Sequence, residues 1–188
     1  MEMTQREKMA AGQWYCCLDP ELDALRTAAR RAVHAHNTEA PDLRGEIAPQ
    51  LRGLLGGAGE GAMIEAPFHC AYGLHIVLGR DVYLNAGCVV LDTAAVRIGD
   101  GTMLGPGVHI YCAEHHTRPA ERAAGLERAL PVTLGRNVWV GGRAVILAGV
   151  TVEDDAIVAA GSVVTRDVPA GATVMGVPAR VVDGPGTG

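Results

Sequence analysis

A six-residue repeat occupies the second half of the chain and restricts the fold more than any other feature. From residue 134 the sequence divides into six consecutive hexads, LGRNVW, VGGRAV, ILAGVT, VEDDAI, VAAGSV and VTRDVP. The first position is always aliphatic, and the fifth is small or β-branched. The same register runs upstream as LGRDVY, LNAGCV and VLDTAA and, after a slip of two residues, as IGDGTM, LGPGVH and IYCAEH. Because an amphipathic helix returns its apolar positions about every 3.6 residues, a period of six excludes one.

The repeat predicts an all-β solenoid in which each hexad forms one short strand and a corner. Three hexads close one triangular coil, and the aliphatic residues of the first position stack inward as ladders. Gly at the second position and Gly, Asn or Asp at the fourth suit tight corners. The composition agrees, because 25 glycines and a single phenylalanine favour stacked layers of small side chains over an aromatic-centred core.

The chain before the repeat has a helical pattern. Thr4-Gln5-Arg6-Glu7 fits a capping box that opens a short helix, and Asp19-Pro20-Glu21 places a cap before a proline at the first helical position. A third helix is expected to include Leu43, Ile47 and Leu51. The expected divisions are a helical N-terminal segment over residues 1–60, a solenoid over 61–182 with one extruded loop at 111–131, and a flexible tail at 183–188.

Charge and cysteine content exclude several classes of partner. Sixteen basic and 21 acidic residues give a net charge of −5, which argues against nucleic acid or an anionic membrane, since both reward clustered lysine and arginine. No apolar run approaches the roughly 18 residues of a membrane span, and no hydrophobic segment follows the charged N-terminus. Five cysteines without Cys-x-x-Cys spacing favour buried free thiols over disulfides or structural zinc. The expected location is the cytoplasm.

The hexads fail between Ile110 and Leu134, and this break is the candidate site. In their place stand Tyr111-Cys112-Ala113-Glu114-His115-His116-Thr117-Arg118-Pro119 and a polar stretch up to Pro131. A rigid solenoid that extrudes one polar loop of this length usually does so for function.

At these residues the chain resembles the hexapeptide-repeat acetyltransferases, specifically the maltose/galactoside O-acetyltransferase branch with its nodulation-factor relatives. The matching segments are Glu7-Lys8-Met9-Ala10-Ala11-Gly12, Asp19-Pro20-Glu21-Leu22, Pro67-Phe68-His69-Cys70, Leu91-Asp92, the loop from Tyr111 to Glu127, and Gly176-Val177-Pro178-Ala179-Arg180. The resemblance implies a left-handed parallel β-helix with a maltose-acetyltransferase-like helical segment. It also implies acetyl-CoA as co-substrate, no required metal, a small-molecule acceptor, and a homotrimer with each active site between neighbouring subunits.

The resemblance makes His115 the catalytic base, with His116 standing where the family normally has proline. A hydroxyl attacks a thioester efficiently only if its proton is removed as the new bond forms. An imidazole with a pKa near neutrality can take that proton and pass it to the CoA thiolate. Glu127 matches a family carboxylate that can orient the histidine through its far nitrogen. The implied reaction is direct transfer of the acetyl group to a hydroxyl, which needs only the alignment of both substrates.

For acetyl-CoA the resemblance implies a groove between neighbouring subunits. Some relatives carry serine where this chain has Gly142, so a backbone N–H would have to stabilise the oxyanion. The two arginines carried over from the family can pair with CoA phosphates. The positions carried over are Trp139 near the thioester, Gly142, Ala160, Thr165, Arg166 and Arg180.

Acceptor recognition departs from the family pattern at three of the four expected positions. Asn85 is retained as the amide that contacts the acceptor. Cys17 stands where relatives have an acidic residue, Ala71 where they have Asp or Ser, and Thr93 where galactoside enzymes carry a second carboxylate. A site built for sugar hydroxyls discriminates through such hydrogen bonds. The expected acceptor is a hydroxyl of a sugar or of another small metabolite, and the alternative is an N-acetyltransferase or natural-product acyltransferase with a non-sugar acceptor.

Two other classes of protein use the same solenoid. The γ-type carbonic anhydrases hold zinc with three histidines, and His109, His115 and His116 suggest such a set. However, His109 and His115 are six residues apart and would sit on equivalent coil corners, and both ends of the chain match the acetyltransferases. A non-catalytic scaffold or binding protein is the remaining alternative, and acetyl transfer to any acceptor would exclude it.

Overall fold

The computed structural model describes residues 2–182, so the tail expected at 183–188 lies outside the described residues. The helices are α1 (Gln5–Ala10), α2 (Pro20–Thr38), α3 (Pro41–Arg44), α4 (Pro49–Leu54) and α5 (Pro119–Ala123). The strands are β1 (Tyr15–Cys16), β2 (Gly57–Ala58), β3 (Met63–Ile64), β4 (His69–Cys70), β5 (Ile76–Leu78), β6 (Tyr83–Leu84), β7 (Val89–Leu91), β8 (Val96–Ile98), β9 (Met103–Leu104), β10 (His109–Tyr111), β11 (Ala113–His115), β12 (Leu126–Ala129), β13 (Val132–Leu134), β14 (Trp139–Val140), β15 (Val145–Ile146), β16 (Thr151–Val152), β17 (Ile157–Val158), β18 (Val163–Val164), β19 (Thr173–Gly176) and β20 (Ala179–Val181).

Short parallel strands stack into the three flat faces of a triangular solenoid. The first face contains β2, β5, β8, β13 and β16, the second β3, β6, β9, β14, β17 and β19, and the third β4, β7, β10, β15 and β18. The register is regular, since Ile110 pairs with Val90 in one neighbouring coil and with Ile146 in the other. The expected left-handed parallel β-helix of hexapeptide repeats is confirmed.

The coils turn at three corners, two of which carry candidate site residues. The loop corner joins the third face to the first and comprises residues 71–75, 92–95, 112–131, 147–150 and 165–167. The groove corner joins the second face to the third and comprises residues 65–68, 85–88, 105–108, 141–144 and 159–162. Neighbouring coils at one corner are separated by roughly the strand spacing of about 4.8 Å.

The first hexad position fills the interior, as its aliphatic character predicts. Burying one such side chain contributes about 1.5–3 kcal/mol to folding. The fourth position makes the corners, and Asn137 and Asp155 adopt positive φ angles of 54° and 61° there, a conformation that short polar side chains tolerate. The side chains at the first position of five successive hexads are at most 1% exposed: Leu134, Val140, Ile146, Val152 and Val158.

The N-terminal helices begin where their caps predict. Thr4 accepts a hydrogen bond from the N–H of Glu7, whose side chain in turn accepts one from the N–H of Thr4. Asp19 caps α2 by accepting hydrogen bonds from the N–H groups of Glu21 and Leu22. These contacts satisfy backbone donors that have no partner within the helices.

The single third helix expected around Leu43, Ile47 and Leu51 is wrong. The structure has two short helices, α3 and α4, separated by Gly45 with a φ of 63°. A left-handed glycine ends a helix, and Pro49 lacks the N–H that a continuing helix would need.

The extruded loop is a hairpin and not an irregular segment. Strands β11 and β12 pair antiparallel with α5 between them, and β1 adds to β12 as a third antiparallel strand. The base of the hairpin is closed, because the N–H of Leu130 donates to the C=O of Cys112 at 2.9 Å. The coil resumes at once, with the N–H of Val132 donating to the C=O of Ala95.

The structure bears on two expectations, one about membrane-spanning segments and one about the burial of the cysteines. Over residues 2–182 the structure contains no helix with the length and apolarity that crossing a bilayer requires. All five cysteines are unpaired thiols, but the expectation of burial holds only for Cys70, Cys88 and Cys112, because Cys16 and Cys17 are half-buried beside the hairpin.

The stability of the fold is expected to fall in mild acid because of His36. Its ring is fully buried near the end of α2, and Nδ1 accepts a hydrogen bond from the N–H of Ala48 at 3.2 Å. Burial, followed by the charge of Arg44, lowers the pKa of His36 below its ordinary value. The unfolded chain therefore binds the proton more readily, so this contribution to the free energy of unfolding is complete above about pH 6.5 and is lost as the pH falls below it.

Urea denaturation at about pH 7.5 and about pH 5.5 measures this effect. His36→Asn is the matched variant, because its side-chain oxygen can replace Nδ1 as the acceptor for Ala48 and does not titrate. The variant is expected to lose less stability between the two pH values than the wild-type protein. Equal losses would contradict the assignment to His36.

Candidate functional site

Strands β1, β12 and β11 form the three-stranded hairpin sheet, and three polar side chains form a row across one of its faces. Tyr15 of β1 pairs with Glu127 of β12, which pairs with His115 of β11. Residues directly opposite one another on adjacent strands point to the same face of a sheet. The Tyr15 hydroxyl donates a hydrogen bond to Oε1 of Glu127, and Oε2 of Glu127 lies 3.7 Å from Nδ1 of His115.

The row runs from a buried end to an exposed end. Tyr15 is 1% exposed, whereas the side chains of Glu127 and His115 are 8% and 59% exposed. A buried carboxylate beside Nδ1 can hold the imidazole proton on that nitrogen and leave Nε2 as an acceptor. The arrangement can therefore take a proton from a bound molecule at Nε2 and stabilise the imidazolium that results.

The opposite face of the same sheet anchors the hairpin. Trp14 stacks against His116 with ring centroids 4.5 Å apart. The guanidinium of Arg128 lies over the Trp14 ring and pairs with Glu114 at 2.5 Å. Nδ1 of His116 accepts a hydrogen bond from the backbone N–H two residues further along. The two adjacent histidines thus have different surroundings, and His116 lies on the anchoring face.

Two of the four acceptor candidates, Cys17 and Ala71, pack against the buried cluster that contains Tyr15. Cys17 follows β1, and Ala71 and Thr93 belong to the loop corner. Burial raises the pKa of the Cys17 thiol, and the charge of Glu127 raises it further, so the thiol keeps its proton at neutral pH. Asn85 instead belongs to the groove corner, where its side-chain oxygen accepts a hydrogen bond from the next backbone N–H.

A buried carboxylate organises the loop corner beneath the row. Asp92 is fully buried and accepts hydrogen bonds from the N–H groups of Ala71, Tyr72 and His75. Burial raises the pKa of Asp92 to about 6, and the same N–H groups oppose the shift by stabilising the charged form. Asp92 therefore ties two coils together at the place where the hairpin leaves the solenoid.

A cavity of about 560 Å³ opens beside this corner. Half of its ten lining residues are alanines, and the side chains of Thr93 and His75 supply its polar groups. Thr93 is 7% exposed, and its hydroxyl contacts no hydrogen-bond partner in the part of the chain that the structure describes. Nδ1 of His75 contacts the C=O of Asp92, and burial lowers the pKa of His75, so the neutral ring keeps Nε2 as an acceptor.

The acetyl-CoA candidates lie away from the row, on exposed parts of the coils. Gly142 and Ala160 occupy the groove corner in successive coils, and Gly142 lines a cavity of about 420 Å³ there. Trp139 in β14 is 54% exposed on the second face. The remaining candidates are all exposed. Thr165 and Arg166 lie at the loop corner, and Arg180 lies in β20.

One chain therefore divides the candidate residues into two groups. The row, three acceptor candidates, Thr165 and Arg166 lie at or beside the loop corner, whereas Asn85, Gly142 and Ala160 lie at the groove corner. The third face of the solenoid separates the two corners. The structure of one chain does not bring the two groups together.

The three histidines considered for a zinc site do not converge. Nδ1 of His109 contacts the hydroxyl of Tyr111 on the third face, and His115 and His116 lie on opposite faces of the hairpin sheet. Within the described range 2–182, no group of three His, Cys, Asp or Glu side chains is arranged to hold a metal ion.

Tyr15 is the polar residue of the site that sequence reasoning missed. The proline and the glycine between Ala113–His115 and Leu126–Ala129 are turn signals that are compatible with a hairpin. The pairing of residue 15 with residue 127 has no such local signal, because it joins strands 112 positions apart.

Known protein families match both parts of the chain. The family model of the maltose acetyltransferase hexapeptide capping motif matches residues 8–59, and that of the hexapeptide repeat of succinyl-transferase matches residues 131–166. The chain is 51% identical over 181 residues to nodulation protein L of Rhizobium meliloti, covering 96% of this chain and 99% of the relative. It is 31% identical over 182 residues to galactoside O-acetyltransferase of Escherichia coli, covering 97% and 90%.

Solved structures extend the likeness to the whole fold. The maltose O-acetyltransferase from Clostridium difficile 630 superimposes with a TM-score of 0.93 at 36% identity, covering 96% of each chain. A hexapeptide-repeat acetyltransferase from Vibrio cholerae, solved in complex with acetyl-CoA, gives a TM-score of 0.87 at 35% identity, covering 96% and 97%. The chain belongs to the maltose/galactoside O-acetyltransferase family of hexapeptide-repeat acetyltransferases, and it is an acyltransferase that uses acetyl-CoA.

Proposed function

We propose that the enzyme transfers the acetyl group of acetyl-CoA to a hydroxyl of a small metabolite, with His115 as general base and Glu127 as the residue that orients it. The observation that carries the proposal is the exposed imidazole of His115 with the buried Glu127 carboxylate at Nδ1. A general base needs one nitrogen open to the acceptor and the other held in a defined protonation state.

The proposed reaction is a direct displacement. The acceptor oxygen attacks the carbonyl carbon of the thioester while Nε2 of His115 takes the hydroxyl proton. The tetrahedral oxyanion collapses, the C–S bond breaks, and the imidazolium returns its proton to the departing CoA thiolate. The charge of Glu127 stabilises the imidazolium between these two proton transfers.

We also propose a homotrimer in which neighbouring subunits complete each site. Exposed apolar side chains mark the second face, where Met103 and Trp139 pair and are 48% and 54% exposed, and Val145 points outward on the third face, where it pairs with His109. The first face instead carries Arg97 and Thr133 at the equivalent positions. Apolar faces favour contact with a second copy, and cyclic symmetry then brings the loop corner of one chain against the groove corner of the next.

Acetyl-CoA would lie in that assembly between the groove corner of one chain and the loop corner of the next, where Thr165 and Arg166 lie. The small residues Gly142 and Ala160 leave room for the pantetheine arm to approach the backbone. Exposed guanidinium groups can pair with the CoA phosphates, and an exposed indole can pack beside the thioester. The residues given these roles are Trp139, Thr165, Arg166 and Arg180.

The five unpaired cysteines support the proposed location. Free thiols persist where the glutathione and thioredoxin systems keep them reduced. We place the enzyme in the cytoplasm on that ground.

The proposed acceptor is less polar than a simple sugar. The protonated Cys17 thiol is a weak acceptor of hydrogen bonds, and the methyl group of Ala71 offers none. Most residues that line the cavity beside Thr93 have no polar side chain, which suits an apolar portion of the acceptor. The same features leave an amine acceptor as the alternative to a hydroxyl, with Asn85 of the neighbouring subunit as the retained amide contact.

Simple sugars are therefore expected to be poor acceptors. Each missing partner leaves a sugar hydroxyl without compensation at roughly 1–3 kcal/mol, so even one loss lowers kcat/KM about tenfold. A screen with radiolabelled acetyl-CoA would compare maltose, glucose and a galactoside with less polar alcohols and with amines. We expect kcat/KM for the sugars to be well below the value for at least one other acceptor, with turnover dependent on His115.

Ala71→Ser supplies the matched control for this screen. It returns a hydroxyl to the loop corner, and we expect it to raise kcat/KM for sugars while leaving the apolar acceptors little changed. Efficient acetylation of maltose, glucose or a galactoside by the wild-type enzyme at millimolar concentration would instead support an ordinary sugar O-acetyltransferase.

A further inference from the structure

We propose that Tyr15 is a positioning residue for the general base, acting through Glu127. Its hydroxyl holds one carboxylate oxygen so that the other faces Nδ1 of His115. The inference rests on the proposed role of His115, and it assigns the N-terminal segment a part in the chemistry in addition to its packing against the coils.

The two oxygens of Glu127 have separate partners. Oε1 receives the Tyr15 hydroxyl, and Oε2 lies 3.7 Å from Nδ1 of His115. That separation exceeds the usual length of a hydrogen bond, and catalytic contacts of this kind often shorten when substrate binds. The hydroxyl therefore sets the plane in which the carboxylate approaches the imidazole.

Tyr15 cannot easily be replaced in this role by a neighbour. Its ring is packed in a small buried cluster with Met9, Leu22, Tyr72 and Ala129, which fixes where the hydroxyl points. Burial, followed by the hydrogen bond to the carboxylate, raises the pKa of Tyr15 far above its ordinary value, so the hydroxyl keeps its proton and remains a donor.

The other polar groups around the carboxylate are Cys17, Tyr72 and Arg26. The Cys17 thiol is protonated, and Arg26 donates hydrogen bonds to the Tyr72 hydroxyl at 2.9 Å and to the C=O of Cys17 at 3.0 Å. Arg26 also pairs with Asp23 at 3.5 Å, so its guanidinium is engaged with three partners. Tyr15 is the hydroxyl that contacts Glu127 directly.

Removing the hydroxyl changes how Glu127 and His115 share protons. A donor to a carboxylate stabilises its charged form, so its loss strengthens proton binding by Glu127. Because the carboxylate contacts the imidazole, we expect the Tyr15→Phe variant to hold the active form, with a charged Glu127 and a neutral His115, only at higher pH. A protonated Glu127 would also donate to Nδ1, which moves the imidazole proton to Nε2 and removes the acceptor that the base needs.

Tyr15→Phe tests the inference, with Tyr72→Phe as the matched control. Both changes remove one hydroxyl from the same buried cluster, but only the first removes a hydrogen bond to Glu127. For Tyr15→Phe we expect kcat to fall roughly 10- to 100-fold with KM for acetyl-CoA little changed, and the acid limb of the pH profile of kcat/KM to move to higher pH. Nitrogen-15 NMR of His115 should show a larger share of the Nε2–H tautomer. Tyr72→Phe should leave the acid limb and the tautomer unchanged.

Glu127→Gln provides a second variant should Tyr15→Phe fold poorly. It keeps an oxygen for the Tyr15 hydroxyl but removes the negative charge, so we expect the acid limb to move to lower pH, opposite to the effect of Tyr15→Phe. An unchanged acid limb and tautomer in Tyr15→Phe, or equal shifts in the two tyrosine variants, would overturn the inference. Full activity of His115→Ala together with a changed tautomer in Tyr15→Phe would overturn the proposed function and leave the coupling of Tyr15 to His115 intact.

Discussion

Replacing His115 by alanine is expected to lower turnover about 10²- to 10⁴-fold, the range for loss of a general base. The acceptor hydroxyl would then have to lose its proton to water as it attacks the thioester. Acetyl-CoA affinity should change little, because the residues that we assign to acetyl-CoA binding do not include His115. Steady-state kinetics give the loss in kcat, and calorimetric titration with CoA gives the affinity.

His116→Ala is the matched control for this experiment. His116 is the adjacent histidine, but it stacks on Trp14 on the anchoring face of the hairpin sheet. We expect a loss of thermal stability and a much smaller loss of turnover. Equal losses of turnover from the two alanine variants would rule out a single base at position 115.

Two inactive variants are expected to restore activity to one another when they share a trimer. His115→Ala removes the base at the loop corner, and Ala160→Trp fills the exposed groove corner that we assign to acetyl-CoA. In a mixed cyclic trimer one interface unites an intact loop corner with an intact groove corner. Purified mixed trimers should therefore recover about a third of wild-type turnover.

Different affinity tags on the two variants allow the mixed trimers to be isolated after co-expression. Mixed trimers of two differently tagged copies of the same variant serve as controls and should stay inactive. A site contained within one chain would give no recovery, and light scattering that found a fully active monomer at micromolar concentration would exclude the shared site altogether.

The solenoid was predictable because its determinants are local. Each hexad carries its own inward aliphatic residue, such as Val152, and its own corner residue, such as Asn137, so the period alone specifies the coil. The prediction of a single third helix was wrong although the residues that divide it are also local. The prediction followed the apolar spacing of Leu43, Ile47 and Leu51. In the structure, α3 ends before Gly45 and α4 begins at Pro49.

The candidate site was only partly predictable because its contacts are not local. The break in the repeat indicated where the site lies, the family resemblance indicated His115 and Glu127, and the structure places these two residues on one face of paired strands. The contribution of Tyr15 depends on a strand pairing across most of the chain, and the separation of Cys17 from Asn85 depends on the same pairing, which holds Cys17 beside the hairpin. Hexad periodicity contains no information about either relation.

The closed base of the hairpin has a consequence for how such enzymes diversify. The chain leaves the coil at Cys112 and returns at Leu130, and a hydrogen bond of 2.9 Å joins these two residues. The ends of this insertion already meet. Lengthening or shortening its tip therefore changes the entropic cost of closing the loop only slightly when the solenoid folds. New acceptor contacts can therefore accumulate between β11 and β12 without cost to the coils, whereas a one-residue shift within either strand would exchange Glu127 for Arg128 beside the imidazole. Selection can thus vary the tip of the hairpin freely while the two strands that carry the base stay fixed in length.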